Sequence, residues 1–323
     1  MAVVIGVDEA GLGPVLGPLV VSAVALEVPD EAVDGSLWQL LSGTVSRRIG
    51  SRPGTLAIAD SKLLYNGAAR ERGLYHLERG VLACLAAGGH DGLTLRRLLD
   101  RLAPDVIAHA PAYPWYRDLE VVLPTAVAAD DLADVAERLR RRMAAVGVRV
   151  LSIRSTVLLA REFNRQIELL GNKAAVNFAA AAPLLREARS LLPGCRTVIH
   201  VDRQGGRHYY LGLLKELWPE AFVWIREEQV GSSCYAVEDG DGALDIAFTV
   251  GCEQHQLPVA LASMASKYLR ELLMARFNAY WSVALPGVKP TAGYFRDGRR
   301  FWAEVEPELA RLGLDPDLIL RCR

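Results

Sequence analysis

Four acidic side chains stand where apolar runs end: Asp8 and Glu9 after "AVVIGV", Asp202 closing "CRTVIHVD", and Glu253 just past "GALDIAFTV". A carboxylate beside an apolar core costs free energy, so each position needs a reason. One Asp at a strand end is ordinarily a cap or turn residue. The pair in "GVDEAGLGP" is not explained that way, because a turn needs one Asx, not two acids followed by glycines at 11, 13 and 17. If the three runs are neighbouring strands, their acids meet in one oxygen-rich site of the kind Mg2+ or Mn2+ prefers. Two such ions, about 3.5–4 Å apart, activate a water and stabilise the leaving oxygen of a phosphodiester. Without cations, four crowded carboxylates would repel one another.

The elements that must position these groups are readable in outline. "AVVIGV" is short, β-branched and apolar, a buried strand, and "PLVVSAVALEV" (18–28) is a second strand paired with it through the glycine-rich turn. "GTLAIADSKLL" holds a short apolar piece ending at Asp60. Helical spacing marks 67–87 and 130–147, the latter acidic at its start and basic at its end. "VRVLSIRSTVLL" reads as a strand, and the alanine-rich stretch after it as helix divided near Gly171. A hairpin-like pair surrounds "EDGDG", its second strand running to Cys252-Glu253. A helix follows from Pro258, with Val259, Ala262, Ala265, Leu269, Leu272 and Tyr280 near one face, and the tail adds one more.

Composition sets the class. The 323 residues are 51% apolar and 23% charged, a globular profile rather than a disordered one. The net charge of −1 neither requires nor forbids a polyanionic partner, although a local basic patch is compatible with it. The five cysteines are widely spaced with no C-x-x-C pair, which argues against a disulfide framework or a zinc cluster. The start lacks the basic n-region of a signal peptide, and no apolar run is long enough to span a bilayer. A reduced, cytoplasmic setting and a monomer are expected.

"GVDEAGLGPVLGPLVVSAVAL" resembles the first motif of the type 2 ribonucleases H (ribonuclease HII), in which a strand carries Asp-Glu before Ala-Gly and a Gly-Arg-Gly or Gly-Lys-Gly turn. "ADSKLL" (59–64) is similar to that family's Asp-Ser-Lys motif, "VIHVDRQGG" to the strand ending in its third acid, and "GCEQHQLPVALASMASKYLRELL" to the stretch joining the fourth acid to a helix bearing a lysine. "AGYFRDGRRFWAEV" resembles, more distantly, the segment holding a substrate-contacting tyrosine. The resemblance implies an α/β fold: a ribonuclease H-like mixed central sheet flanked by helices, with an inserted segment and a C-terminal helical extension. It implies cleavage of the RNA strand of RNA/DNA hybrids, or of ribonucleotides in duplex DNA, leaving 3′-hydroxyl and 5′-phosphate ends. Asp8, Glu9, Asp202 and Glu253 would be catalytic and would ligate two Mg2+ or Mn2+ ions. Gly11, Leu12, Gly13, Ser61, Lys62, Lys267 and Tyr294 would bind substrate, the glycine turn bringing backbone amides to the edge where the 2′-hydroxyl marks RNA.

Three departures stand out. Leu12 replaces the Arg or Lys that could contact a phosphate, and Glu253 stands where the family has Asp. The stretch 88–149 is longer than the family needs, giving a division into a core (1–87 and 150–285), an insertion (88–149) and an extension (286–323). That insertion carries Arg96, Arg97 and 138–142, with Tyr113, Trp115 and Tyr116. It is either a nucleic-acid grip or a solvated arginine face over packed aromatics. The acids at 130, 131, 134 and 137 beside the arginines favour the second reading. Two other functions stay open: a hybrid-binding protein with weak or lost catalysis, and a nuclease of the same fold with another substrate. His200 on its apolar strand is expected to be a core histidine, and Cys252 a small apolar filler.

Overall fold

The computed structural model describes residues 1–50, 54–65, 70–90, 94–240 and 242–321, without the side chains of 70–73. Among these, nine strands are present: β1 (Ala2–Ala10), β2 (Leu19–Val28), β3 (Val45–Ser46), β4 (Leu56–Ala57), β5 (Arg149–Leu158), β6 (Thr197–Asp202), β7 (Phe222–Glu228), β8 (Ser232–Asp239) and β9 (Gly242–Thr249). Seven of them form one mixed sheet in the order β5-β2-β1-β6-β9-β8-β7, and β3 pairs with β4 separately. The pairs β5–β2, β2–β1, β9–β8 and β8–β7 are antiparallel, while β1–β6 and β6–β9 are parallel.

The strand with the densest apolar run lies at the centre. β1 is buried from Ala2 to Asp8, with β2 on one side, β6 on the other and helices over both faces. A strand covered on both faces reads as a continuous hydrophobic segment, which is why "AVVIGV" does not alternate. One face packs Phe163, Val176, Leu185 and Leu214, from the helices Ala160–Leu170, Lys173–Arg189 and Leu211–Leu217. The other is covered chiefly by the long helix Leu257–Ala284 and, behind it, Arg70–Ala87 and Ala129–Ala145.

The long helix comes unusually close to β1. A Cβ on Gly6 would lie 2.1 Å from Pro258 C and Val259 N, so this position admits no side chain. Val259, Ala262, Ala265, Leu269 and Leu272 are buried as the spacing predicts, but so are Ser263, Met264, Ser266, Lys267 and Arg270. The first half of the helix is thus enclosed nearly all round, rather than on one face, because sheet, helix and loops all pack against it.

The expected strands and helices are found with shifted ends. The helix expected from 67 is described from Arg70, residues 67–69 lying outside the described set. Gly171, at φ +77, divides the alanine-rich stretch as expected. The hairpin-like pair around "EDGDG" is present as β8 and β9, and β7 extends it at the edge into a three-strand meander. Its last strand stops at Thr249, so Glu253 sits on a separate 3-10 turn, Cys252–Gln254. Tyr113, Trp115 and Tyr116 are buried, and Trp115 packs edge-on to Phe277 with ring centroids 5.1 Å apart. They join the main core through the long helix, not a small core of their own. His200 is half-buried on β6, where burial lowers its pKa to about 4. No described helix is long and apolar enough to cross a membrane.

Candidate active site

Parallel pairing sets the acids side by side. Val7 is in register with Val201, so Asp8 and Asp202 follow at adjacent strand ends, and Asp202 in turn aligns with Thr249 before the turn that carries Glu253. Asp202 fixes that turn by accepting the Cys252 N–H at 3.0 Å. Asp8 accepts the Glu9 N–H at 2.7 Å, and Ser263 on the long helix is near enough to favour its ionised form. Ser266, one turn on, donates to the Asp8 main-chain oxygen at 3.0 Å and contacts Ser22 at 2.8 Å, which meets Ser155 at 2.7 Å. A string of buried hydroxyls therefore ties the long helix to three strands beneath the acids.

The acids share one electrostatic environment. Burial, then Glu9 and Asp202, hold the Asp8 carboxyl well above the usual carboxylate range. Burial raises Glu9 to about 7, reinforced by Asp202 and Glu253 and opposed by Asn177 and Lys62. Glu253, 7% exposed, is likewise raised to about 7, by burial first and Asp202 second. Lys62 is the nearby counter-charge: burial lowers its pKa, but Asp60, Asp8, Glu253 and Asp202 outweigh that and raise it.

Several polar atoms here lack partners. Glu253 Oε2 is buried without a hydrogen bond, as are both amide atoms of Asn177 and Oε1 of Gln204. Asn177 stands close enough to Glu9 to favour its ionised form but outside hydrogen-bond geometry. Among the described residues, however, no three His, Cys, Asp or Glu side chains converge as a metal-ligand set. In donor chemistry the four acids suit a hard divalent cation: all are oxygen ligands, and Glu253 among them has an unsatisfied buried oxygen. The arrangement gathers the charge without drawing the oxygens into a cage.

Beside Glu9 opens a cleft of about 510 Å³ lined by Gly11, Leu12, Gly13, Ser61, Lys62, Lys267 and Tyr294. All seven residues expected to bind substrate meet there. Gly11 has φ +93, and a Cβ on it would come within 2.4 Å of Pro18 O, so the turn requires glycine at this point. Leu12 packs its side chain against the apolar layer below the sheet. Ser61 exchanges hydrogen bonds with Ser263, and Tyr294 is 51% exposed at the cleft edge.

The sequence did not reveal who else lines that cleft. Lys267 Nζ donates to Glu271 Oε1 at 2.7 Å and lies 4.4 Å from the Tyr65 ring centroid, while Tyr65 Oη donates to Glu271 Oε2 at 2.9 Å. Lys267 and Arg270 together hold Glu271 below its ordinary pKa against the effect of burial. The i,i+4 spacing of Lys267 and Glu271 was a readable signal; the approach of Tyr65 was not, since it depends on packing across the chain.

No family model matches the chain, and no curated protein does. Among solved structures, it is similar to ribonuclease HII from Archaeoglobus fulgidus, determined with PCNA, at 14% identity, covering 100% of this chain and 95% of that one, TM-score 0.44. It is similar to Bst ribonuclease HIII, determined with Mn2+, at 13% identity, covering 99% and 66% respectively, TM-score 0.42. Ribonuclease H2 of Pyrococcus horikoshii OT3 aligns at 14% identity over 98% of this chain and 92% of that one, TM-score 0.41. The mixed central sheet flanked by helices, which the resemblance to type 2 ribonucleases H implies, is present.

Proposed function

We propose that this protein is a metal-dependent endoribonuclease acting on the RNA strand of RNA/DNA hybrids or on ribonucleotides in duplex DNA. The observation that carries this reading is the meeting of an acid cluster with a single cleft that holds the glycine turn, Ser61, Lys62, Lys267 and Tyr294. Nothing about an apolar core requires acids, glycines and a half-exposed tyrosine to converge there. The division of the chain into core, insertion at 88–149 and extension from 286 is retained as part of the proposal.

In this reading Asp8, Glu9, Asp202 and Glu253 hold two Mg2+ or Mn2+ ions. When bound, the ions supply an activated water and charge stabilisation for the departing oxygen. The chain's own groups do the positioning. The glycine turn lets the backbone approach a sugar closely, and Tyr294 presents a ring face to it. Lys62, kept charged by its carboxylate neighbours, is placed to receive a phosphate oxygen. Hydrolysis adds water across the P–O3′ bond, giving 3′-hydroxyl and 5′-phosphate ends.

A second reading, a hybrid-binding protein with weak or lost catalysis, is favoured by two observations: the acids do not form a closed ligand set, and Lys267 is already neutralised by Glu271. One comparison separates the two. Purified protein is offered a continuous hybrid, a duplex with one embedded ribonucleotide, double-stranded RNA and all-DNA duplex, each with Mg2+ and with Mn2+. Metal-dependent cutting of either ribonucleotide-containing DNA substrate supports the nuclease. Tight hybrid binding with no cutting supports the binder, and cutting of all-DNA duplex alone overturns both.

A further inference from the structure

The glycine turn is held in shape by the far end of the chain. Arg321 is 2% exposed, and its guanidinium reaches three carbonyls of the turn: Nη1 donates to Gly11 O at 2.5 Å and Gly17 O at 3.5 Å, and Nη2 to Leu12 O at 3.4 Å. Its main-chain N–H donates to Val15 O at 2.9 Å, and Leu320 bridges to Leu16. The guanidinium lies 3.6 Å from the ring centroid of Phe163. No carboxylate pairs with it among the described residues; burial, with Arg270 nearby, lowers its pKa to about 9. A cation enclosed this way is costly unless its position does something.

What it does follows from peptide geometry. In a trans peptide the C=O and the following N–H point in opposite directions, and the peptides of the turn are trans. With the Gly11 and Leu12 carbonyls drawn inward to Arg321, the N–H groups of Leu12 and Gly13 face the other way. Neither N–H meets an acceptor among the described residues, and both residues line the cleft beside Glu9.

We propose that Arg321 is a positioning residue: by gripping the Gly11 and Leu12 carbonyls, it presents the Leu12 and Gly13 amides to the cleft as a donor pair for the 2′-oxygen of a ribose. It supplies from beneath, through the backbone, the cationic support that the Leu12 side chain cannot. Lysine could reach one of these carbonyls but not fork between them. This inference rests on the ribonuclease reading and deepens it.

The test uses the full chain with Arg321→Met, which keeps an unbranched stem over Phe163, and Arg321→Lys. Steady-state cleavage of a hybrid is measured. In an Asp8→Asn background, affinities for the hybrid and for an all-DNA duplex of the same sequence are compared. The expected result is a KM for hybrid about tenfold higher in Arg321→Met, the equivalent of one to two lost hydrogen bonds. The value of kcat changes much less, and the hybrid-to-DNA affinity ratio falls in step, with Arg321→Lys intermediate. An unchanged ratio with a lowered melting temperature overturns the proposal and leaves Arg321 a structural residue. If the variants do not fold, amide exchange on Asp8→Asn protein decides: the Leu12 and Gly13 amides slow on binding hybrid but not DNA, and absence of that protection overturns it. If wild-type protein neither cuts nor binds hybrid, it is the ribonuclease reading that fails instead.

Discussion

The acids and the cleft share strand β1 but are held by different kinds of structure. Asp8, Asp202 and the turn bearing Glu253 are placed by backbone pairing at the middle of the sheet, where register leaves little choice. The cleft is placed by side chains from distant segments: Lys267 and Glu271 from the long helix, Tyr65 from the stretch after β4, Arg321 from the tail. One half of the site is set by the sheet and the other by what packs around it. The first should therefore respond to substitution as chemistry without loss of fold, and the second as a graded change in affinity.

The sharpest way to break this comparison is at the acids themselves. Asp8→Asn or Asp202→Asn should lower cleavage by well over a hundredfold, since losing even an outer partner of a metal site costs about 10–100-fold. The fold should survive, because removing one of several crowded carboxylates relieves repulsion. A melting temperature that falls sharply would show that the acids are structural. Next in size is Gly6→Ala. Its Cβ would overlap the backbone of Pro258 and Val259, forcing the long helix off β1. A loss of about 3 kcal/mol in denaturant unfolding is expected, and a neutral result would mean the helix is free to shift.

The pH response follows from the raised carboxyls. Glu9 and Glu253 have folded pKa values near 7 against 4.5 for an unperturbed glutamate, so the unfolded chain loses these protons first. Their contribution is fully present below 4.5 and is lost as pH rises from there through about 7. In chelator, the melting temperature should accordingly be lower at pH 8 than the rest of the chain would dictate, and Asp8→Asn should narrow that deficit. Mg2+ or Mn2+ should restore it by binding the ionised acids. A wild type and Asp8→Asn pair with parallel pH profiles, unmoved by either ion, would contradict a shared carboxylate site.

The smallest expected effect sharpens the cleft half. Glu271→Gln keeps an acceptor for Tyr65 but releases Lys267 from its ion pair. Hybrid affinity should rise modestly, and the plot of log affinity against log salt should steepen by about 0.7–0.9, one further phosphate contact. Fluorescence anisotropy over a salt series reads this directly. An unchanged slope would mean that Lys267 does not reach a phosphate even when freed.

The same division explains what the sequence made legible. Asp8, Glu9 and Asp202 were visible because burial on both sheet faces turns their strands into unbroken apolar runs, against which an acid stands out. Glu253 stood out although its element was expected to be strand, since an acid just past an apolar run is conspicuous in either case. The edge strand β7 was harder to separate, because exposed Phe222, Trp224 and Ile225 spoil the alternation a half-buried strand should show. Tyr65 and Arg321 carry no local signal: a tyrosine near a turn and an arginine in a tail gain meaning only from the chain that folds against them. Leu12 drew attention as a departure from the expected cation, but nothing in "GLG" announced a guanidinium behind it.

The packing of Trp115 against Phe277, with Tyr280 and Trp281 close by, bears on how the segment 88–149 can be used. A hinged arm would swing between open and closed states; a segment anchored by a buried indole cannot do so without uncovering the flank of the long helix. Trimming it away would leave an oily scar on the remainder. The indole emission of Trp115 and Trp281 offers a built-in gauge of whether that packing ever lets go.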